Sequence, residues 1–310
     1  MLRGRCENDA WKGKRNYMVS FENVGKFILS DISFCIPDGI IAGVIGRSGA
    51  GKTTLIRLAG GLLSCEAGTV RTFQQDPVRR RRQIAKDIRF FSSAHPSFRE
   101  DSTIVDEFKK LRFVYRLDQK EFQEEYERLA GSLRFGEDAE KEIRQLSFGQ
   151  RRRAELAAVL LGQARLILLD EPTVGIDEAG KQIFIEQLQK KKEGGTAVLI
   201  ASENMAEIEK ACDRVLLLEE GRLLYYGSRA RLMRQYAPVN EISIVYRGRL
   251  PDLEDLPLIE YRIDNDRLRC RYNENVVSAL EIIRHVAVQT VVAEMQVVRP
   301  RLEDVVMTLR

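Results

Sequence analysis

No stretch of this 310-residue chain stays apolar for the roughly 18–20 residues a helix needs to cross a bilayer, so no membrane-spanning helix is expected in it. The opening residues, Met1 to Ala10, lack the apolar centre of a secretion signal, and secretion is not expected either. Cysteine is sparse and odd in number: Cys6, Cys35, Cys65, Cys212 and Cys270 are scattered, with no metal-ligand spacing. Free thiols in a reducing cytosol are the simplest account. A dominant charge is missing too. The formal net charge of +4 is too slight to argue for nucleic acid. What the chain does have is 44% hydrophobic residues, enough for real cores, at a length that suggests two domains.

The most informative stretch is Gly46-Arg47-Ser48-Gly49-Ala50-Gly51-Lys52-Thr53-Thr54, which fits G-x-x-x-x-G-K-[ST]. It follows an apolar run, Ile40 to Ile45, that reads as a buried strand, and precedes Leu55 to Ala59, which reads as a helix. Glycine and small residues let the backbone curl until several N–H groups point into one cavity. Lys52 adds a mobile cation, and the Thr53 hydroxyl can ligate Mg²⁺. The following helix presents its N-terminus to the same phosphates. This pattern implies a nucleoside triphosphate site. A second apolar strand, Ala164 to Leu169, ends in Asp170 and Glu171. A carboxylate at the C-terminal end of a strand sits where α/β sheets bind ligands, so Asp170 can hold Mg²⁺ directly or through water. Glu171 can orient and polarise an attacking water.

Between these motifs lies Leu146-Ser147-Phe148-Gly149-Gln150-Arg151-Arg152-Arg153, and after the second comes Gly175-Ile176-Asp177. Taken together, the motifs resemble those of the ATP-binding cassette (ABC) ATPases: Walker A, the LSGGQ signature, Walker B and the D-loop, in the family's order. The form LSFGQRRRAELAAVLL is similar to the ATP-binding subunits of ABC-2 type transporters, typically exporters, with Phe148 in place of the first signature glycine. The resemblance implies an α/β fold: a P-loop ABC-type nucleotide-binding domain with a helical subdomain, followed by a small α+β accessory domain. It also implies a dimer in which Ser147, Gly149 and Gln150 serve ATP held by the other subunit. The expected boundaries are an N-terminal tail at 1–16, the ATPase domain at 17–228 with its helical subdomain at about 92–145, and the accessory domain at 229–310.

In the helical stretch, Asp118 with Glu121 forms a plausible capping box ahead of Phe122, Tyr126 and Leu129 at helical spacing. These apolar residues pack internally or, as the resemblance implies for this insertion, touch a membrane subunit. The run Arg79 to Arg82 is a solvated face or a contact to lipid phosphates. Past Gly227, the segments 241–246, 259–263 and 267–272 alternate like antiparallel strands with one wet face. A helix through Val276 to Val286, capped by Asn275, and a strand at 291–298 follow. No catalytic constellation is visible there, and His285 reads as packing or surface.

Two positions depart from the family pattern. Where a switch histidine is expected after a late strand, Val198 to Ser202 is followed by Glu203. Where a metal-contacting glutamine is expected, Ile88-Arg89-Phe90-Phe91-Ser92-Ser93 places Ser93, whose hydroxyl is short for direct contact with Mg²⁺. A histidine can donate to the terminal phosphate, whereas an ionised glutamate only accepts. Glu203 must therefore turn away, become protonated or weaken the triphosphate state, unless it is a plain surface residue. Phe27, upstream of Walker A, is a platform for adenine or a core aromatic.

The expected function is the ATP-hydrolysing motor of an ABC-2 type exporter, using ATP and Mg²⁺, with Glu171 and Glu203 at the reacting centre and Thr53, Asp170 and Ser93 around the metal. Its expected partners are a second ABC ATPase subunit and membrane-spanning permease subunits, with no nucleic acid. Its expected place is the cytoplasmic face of the membrane. The alternatives are a degenerate, ATP-binding regulatory partner in a heterodimer, and a soluble ABC protein outside transport. The soluble types need long coiled-coil insertions or two cassettes in one chain, and neither is present.

Overall fold

The structure, a computed structural model, describes residues 17–95 and 97–308. The N-terminal tail expected at 1–16 lies outside the described residues. The chain forms two compact units, Met1–Ser228 and Arg229–Arg310.

The first unit begins with two strands, β1 (Val19–Lys26) and β2 (Leu29–Ile36), followed by β3 (Ile41–Gly46), helix α1 (Lys52–Ala59) and β4 (Ala67–Thr72). A short α2 (Arg81–Ile84) leads to β5 (Ile88–Ser92), and the helical region holds α3 (Ile104–Tyr115) and α4 (Gln119–Leu133). Then come α5 (Phe148–Leu160), β6 (Leu166–Asp170), α6 (Glu178–Glu193), β7 (Ala197–Ala201), α7 (Met205–Ala211), β8 (Arg214–Glu219) and β9 (Arg222–Ser228).

β1, β2 and β4 make an antiparallel sheet in the order β2-β1-β4, sealed by Phe21 stacked on Phe34 at 4.6 Å. The larger sheet runs β5-β6-β7-β3-β8-β9, parallel except for β9. Every residue of β6 and β7 is buried, which is why both read as unbroken apolar runs: helices cover both faces of a parallel sheet. This strand order positions the candidate site. β5, β6, β7 and β3 are neighbours, and their C-terminal ends deliver Ser92, Asp170 with Glu171, Ser202 with Glu203, and the loop of residues 46–51 to one edge.

In the helical region, Asp118 caps α4, its carboxylate accepting from the Lys120 and Glu121 amides. Phe122 and Leu129 are buried, and Tyr126 meets Phe108 and Phe135 edge-on, so that apolar stripe is spent on internal packing. The region is tied to β5 by Arg89. Its buried guanidinium lies 3.3 Å from the Tyr115 ring centroid and donates to the carbonyls of Lys86, Leu161 and Gln163. Arg79 pairs with Asp76 across 3.4 Å, and Arg80 to Arg82 are exposed.

The second unit contains α8 (Arg229–Tyr236), β10 (Val239–Arg247), β11 (Leu258–Asp264), β12 (Arg267–Asn273), α9 (Ala279–Gln289), β13 (Val291–Val298) and α10 (Leu302–Thr308). Its antiparallel sheet runs β11-β12-β10-β13. Alternate residues Ile242, Ile244, Tyr246, Leu268, Cys270 and Tyr272 form the core with Ile282 and Val286 of α9. Burial pushes the Cys270 thiol up to about 12, the signature of an inert core cysteine. The cap of α9 differs from expectation. Ser278 and Glu281 close a capping box, because the serine sits three residues before the glutamate, whereas Asn275 turns its side-chain amide to the Arg234 carbonyl. The imidazole Nε2 of His285 lies 2.9 Å from the Asp252 carbonyl.

Candidate nucleotide site

The loop after β3 owes its shape to glycine at two points. A Cβ on Gly46 would lie 2.3 Å from the Leu218 carbonyl oxygen, and Gly51, at φ +103°, leaves no room beside the Leu29 side chain. Gly51 is also the N-cap of α1, with no side-chain cap and no acid in the first turn. The orphan amides and the positive end of the helix dipole are therefore left for an anion. Lys52 is buried, and its ammonium donates to Gly46 O at 2.9 Å, Arg47 O at 3.1 Å and Glu203 Oε1 at 3.2 Å. Ser48 and Gly49 lie at the exposed rim of the loop, Ala50 is buried behind it, and Thr54 is half-buried in the first turn of α1.

Opposite the loop, Asp170 accepts from Thr53 Oγ1 at 3.0 Å on one carboxylate oxygen and from Ser92 Oγ at 3.2 Å on the other. An all-oxygen set of one carboxylate and two hydroxyls suits a hard, hydrated cation such as Mg²⁺. The hydroxyl that reaches Asp170 belongs to Ser92. Ser93 is placed by its backbone, its amide donating to the Asp170 carbonyl at 3.0 Å and its own carbonyl accepting from Arg152. Nothing local separates two adjacent serines; the parallel register of β5 with β6, Ser92 against Asp170, does.

Glu171 follows β6 with φ +50°, a left-handed geometry that costs energy for a residue with a side chain. Its amide donates to the Ala201 carbonyl, and its Oε2 accepts from the Glu203 amide at 3.2 Å. Burial pushes the Glu171 carboxyl up, opposed by that amide and by Lys52. Glu203, exposed at the end of β7, turns inward and pairs with Lys52. Behind them sits Glu207, buried. One of its oxygens accepts from Ser202 Oγ at 2.8 Å and Thr173 Oγ1 at 2.9 Å, while the other has no partner. Burial pushes this carboxyl up as well.

Phe27 is 69% exposed, in a left-handed turn between β1 and β2, with the Lys26 ammonium 4.6 Å from its ring centroid. It is not a core aromatic. The residues here that approach the loop of residues 46–51 are Leu29 and Ile28, whose side chains lie 2.4 and 3.4 Å from where a Gly51 Cβ would stand.

At the start of α5, Ser147 and Gln150 form a capping box: Ser147 Oγ accepts from the Gln150 amide at 3.3 Å, and Gln150 Oε1 accepts from the Ser147 amide at 2.8 Å. Gln150 also donates to Asp138 at 2.7 Å. Gly149 lies against Gly175, whose carbonyl would be 3.5 Å from a Cβ there. The exposed Phe148 ring rests on Gly175 so closely that a Cβ on that glycine would fall 1.9 Å from the ring, and the Arg152 guanidinium lies 5.0 Å from the same ring.

The ABC transporter family profile matches residues 29–174. A putative ABC transporter ATP-binding protein of Methanosarcina mazei is 32% identical over 71% of this chain and 76% of its own length. The chain belongs to the ABC transporter ATP-binding family. The ATP-binding protein NatA of Bacillus subtilis is 27% identical over 64% of this chain and 80% of NatA. The Nod factor export ATP-binding protein I of Bradyrhizobium diazoefficiens is 28% identical over 74% of this chain and 75% of that protein. Among solved structures, an ATP-binding subunit of an ABC transporter superposes with a TM-score of 0.66 at 20% identity, over 71% of this chain and 93% of that one, a likeness of fold.

The chain is thus an ABC ATP-binding subunit with the family's ATPase domain, and such domains bind ATP, generally with Mg²⁺. Subunits of this kind generally partner with membrane permeases, and no helix among the described residues is long and apolar enough to cross a membrane. Two residues of this ABC site had no expected role: Ser92 and Glu207. Glu207 carried a usable signal, since Asn204 three residues ahead of it caps α7 by accepting from its amide. Its contact with Thr173 spans 34 positions and had none.

Proposed function

We propose that this chain is the ATP-hydrolysing motor subunit of an ABC-2 type exporter, working as a dimer at the cytoplasmic face of a membrane with separate membrane-spanning subunits. The observation that carries the reading is the convergence of Lys52, Thr53, Asp170 and Glu171 on one edge of the parallel sheet. Lys52 and the uncapped start of α1 neutralise and bind phosphate, with the amides of residues 46–54 as the cradle. Thr53, Asp170 and Ser92 hold Mg²⁺, which supplies charge neutralisation on the phosphates; Ser93 fixes that corner through its backbone. Glu171 orients water and accepts its proton, a task suited to a carboxyl that burial has made more basic. Phe27 offers an open ring face for the base. Ser147, Gly149 and Gln150 serve the nucleotide of the opposite subunit. The similarity to a Nod factor export ATP-binding protein supports the export direction.

The test is phosphate release by the purified chain under saturating Mg-ATP. E171Q should reduce whatever turnover exists and trap an ATP-bound dimer; undiminished release by E171Q overturns the assignment of Glu171. A second reading, a low-turnover regulatory partner in a heterodimer, is favoured by one observation: the acid at the switch-histidine position is paired with Lys52. E203H restores a donor and removes a negative charge, so it should raise turnover at the site holding this chain's Lys52. A variant no faster than wild type removes Glu203 from the reaction.

A further inference from the structure

An ammonium group has three N–H donors, and those of Lys52 are all engaged: two by carbonyls of its own loop and the third by Glu203. The pair is asymmetric. The lysine side chain is 8% exposed and the glutamate 57%, so charge rather than packing brings the carboxylate inward. Glu203 is latched at its backbone too, through its amide to Glu171. The short segment after β7 therefore joins the phosphate-binding lysine to the acid expected to handle water. It does so with a group that, like a terminal phosphate, is a compact anion accepting from an ammonium.

We propose that Glu203 is a tethered substitute for the terminal phosphate, holding Lys52 when no triphosphate is bound and making the site favour nucleoside diphosphate over triphosphate. This rests on the nucleotide-site reading above and adds to it a specificity. A triphosphate carries more negative charge than a diphosphate and extends one phosphate further. To engage Lys52 it must displace the Glu203 carboxylate, which remains nearby on its tether. Glu203 is paired with Lys52, Glu171 accepts from the Glu203 amide and Asp170 accepts from Thr53 next to Lys52, so the added charge of the longer nucleotide meets the greater opposition. A histidine or glutamine at 203 would set no such threshold. The consequence for a motor is a resting state that holds its product and admits fresh triphosphate only when something else draws the 202–204 segment away, such as closure against a second subunit.

The experiment is calorimetric titration of the full chain with ADP and with a non-hydrolysable imidotriphosphate analogue of ATP, both with Mg²⁺, for wild type, E203Q and E203A. E203Q keeps an oxygen acceptor for Lys52 while removing the charge. It should tighten binding of the triphosphate analogue about tenfold and of ADP less than about threefold, with E203A ranking the two nucleotides the same way. Raising the salt concentration should narrow the wild-type preference and leave that of E203Q nearly unchanged. An equal change for both nucleotides, or no change for either, overturns the proposal while leaving the nucleotide site standing. Failure of wild type and variants to bind either nucleotide overturns the site and the proposal together.

Discussion

Two helices begin beside glycine-containing motifs in this molecule, and their starts are built in opposite ways. α1 begins at Gly51 with no side-chain cap and no acid in its first turn, so its amides and its dipole are unspent. α5 begins at Ser147 with a complete capping box, so the Ser147 and Gln150 amides already have acceptors within the chain. A helix start left uncapped is prepared to take an anion at once, because nothing must be broken first. At a capped start the serine oxygen is already an acceptor within the chain, and what it still has for a phosphate is its single O–H donor. The difference fits a division of labour in which one site binds nucleotide within the subunit and the other engages only when a partner brings its nucleotide close.

The largest effect that could break this contrast is at the first start. K52A and D170N should each weaken Mg-ATP binding by about a hundredfold or more, since each removes charge complementarity to the phosphates or the metal. Unchanged calorimetric affinity in both variants would falsify the assignment of α1 as the primary anion site. At the second start, S147R should leave ATP binding by the isolated chain intact while abolishing ATP-dependent dimerisation in sedimentation without hydrolysis. A variant that pairs like wild type removes the role of α5 between subunits. S147A sharpens the same point through stability, with an expected loss of about 1 kcal/mol in denaturant melts from the lost cap.

A third measurement concerns the contact between Phe148 and Gly175. G175A places a methyl into the phenyl ring and forces a φ of +82°, so it should cost about 1–3 kcal/mol. In an F148A background the ring clash disappears and the backbone strain remains, leaving a coupling of about 1 kcal/mol between the two. Additive losses would mean that the ring simply swings away.

The smallest expected effect is in pH dependence. Burial raises the Glu207 carboxyl in the folded state above its unfolded value of about 4.3. Its stability contribution is therefore greatest below that unfolded value and is lost as pH rises through the folded one. E207Q abolishes that titration, so the stability of E207Q relative to wild type should climb from about pH 4.3 upward and level off once Glu207 is ionised in the fold. A flat difference across that range means that Glu207 does not titrate as its burial requires.

How legible the protein was depends on how far apart the cooperating residues lie in the chain. The phosphate loop could be read because its glycines, lysine and threonine are contiguous, and the chemistry of phosphate binding allows few substitutes. The Asp170 and Glu171 pair could be read because a fully buried strand announces itself as an apolar run that must end where polar groups begin. In the second unit, the alternation along β10 and β12 marked one buried face. The cap of α9 was nevertheless misplaced to Asn275, since several polar residues precede that helix and only the Ser278–Glu281 spacing satisfies both amides.

By itself the sequence determined the α/β class, the order of the nucleotide motifs and the identity of the acids and the lysine, because each is carried by neighbouring residues whose local geometry admits one arrangement. Tertiary structure alone decided that Ser92 reaches Asp170, that Phe148 rests on Gly175, that Thr173 and Ser202 share Glu207, and that Glu203 occupies Lys52 across 151 positions. Those pairings depend on which strands lie side by side and in what register. Strand neighbours are chosen by how the whole sheet buries its apolar faces, a property that no short stretch of the chain contains.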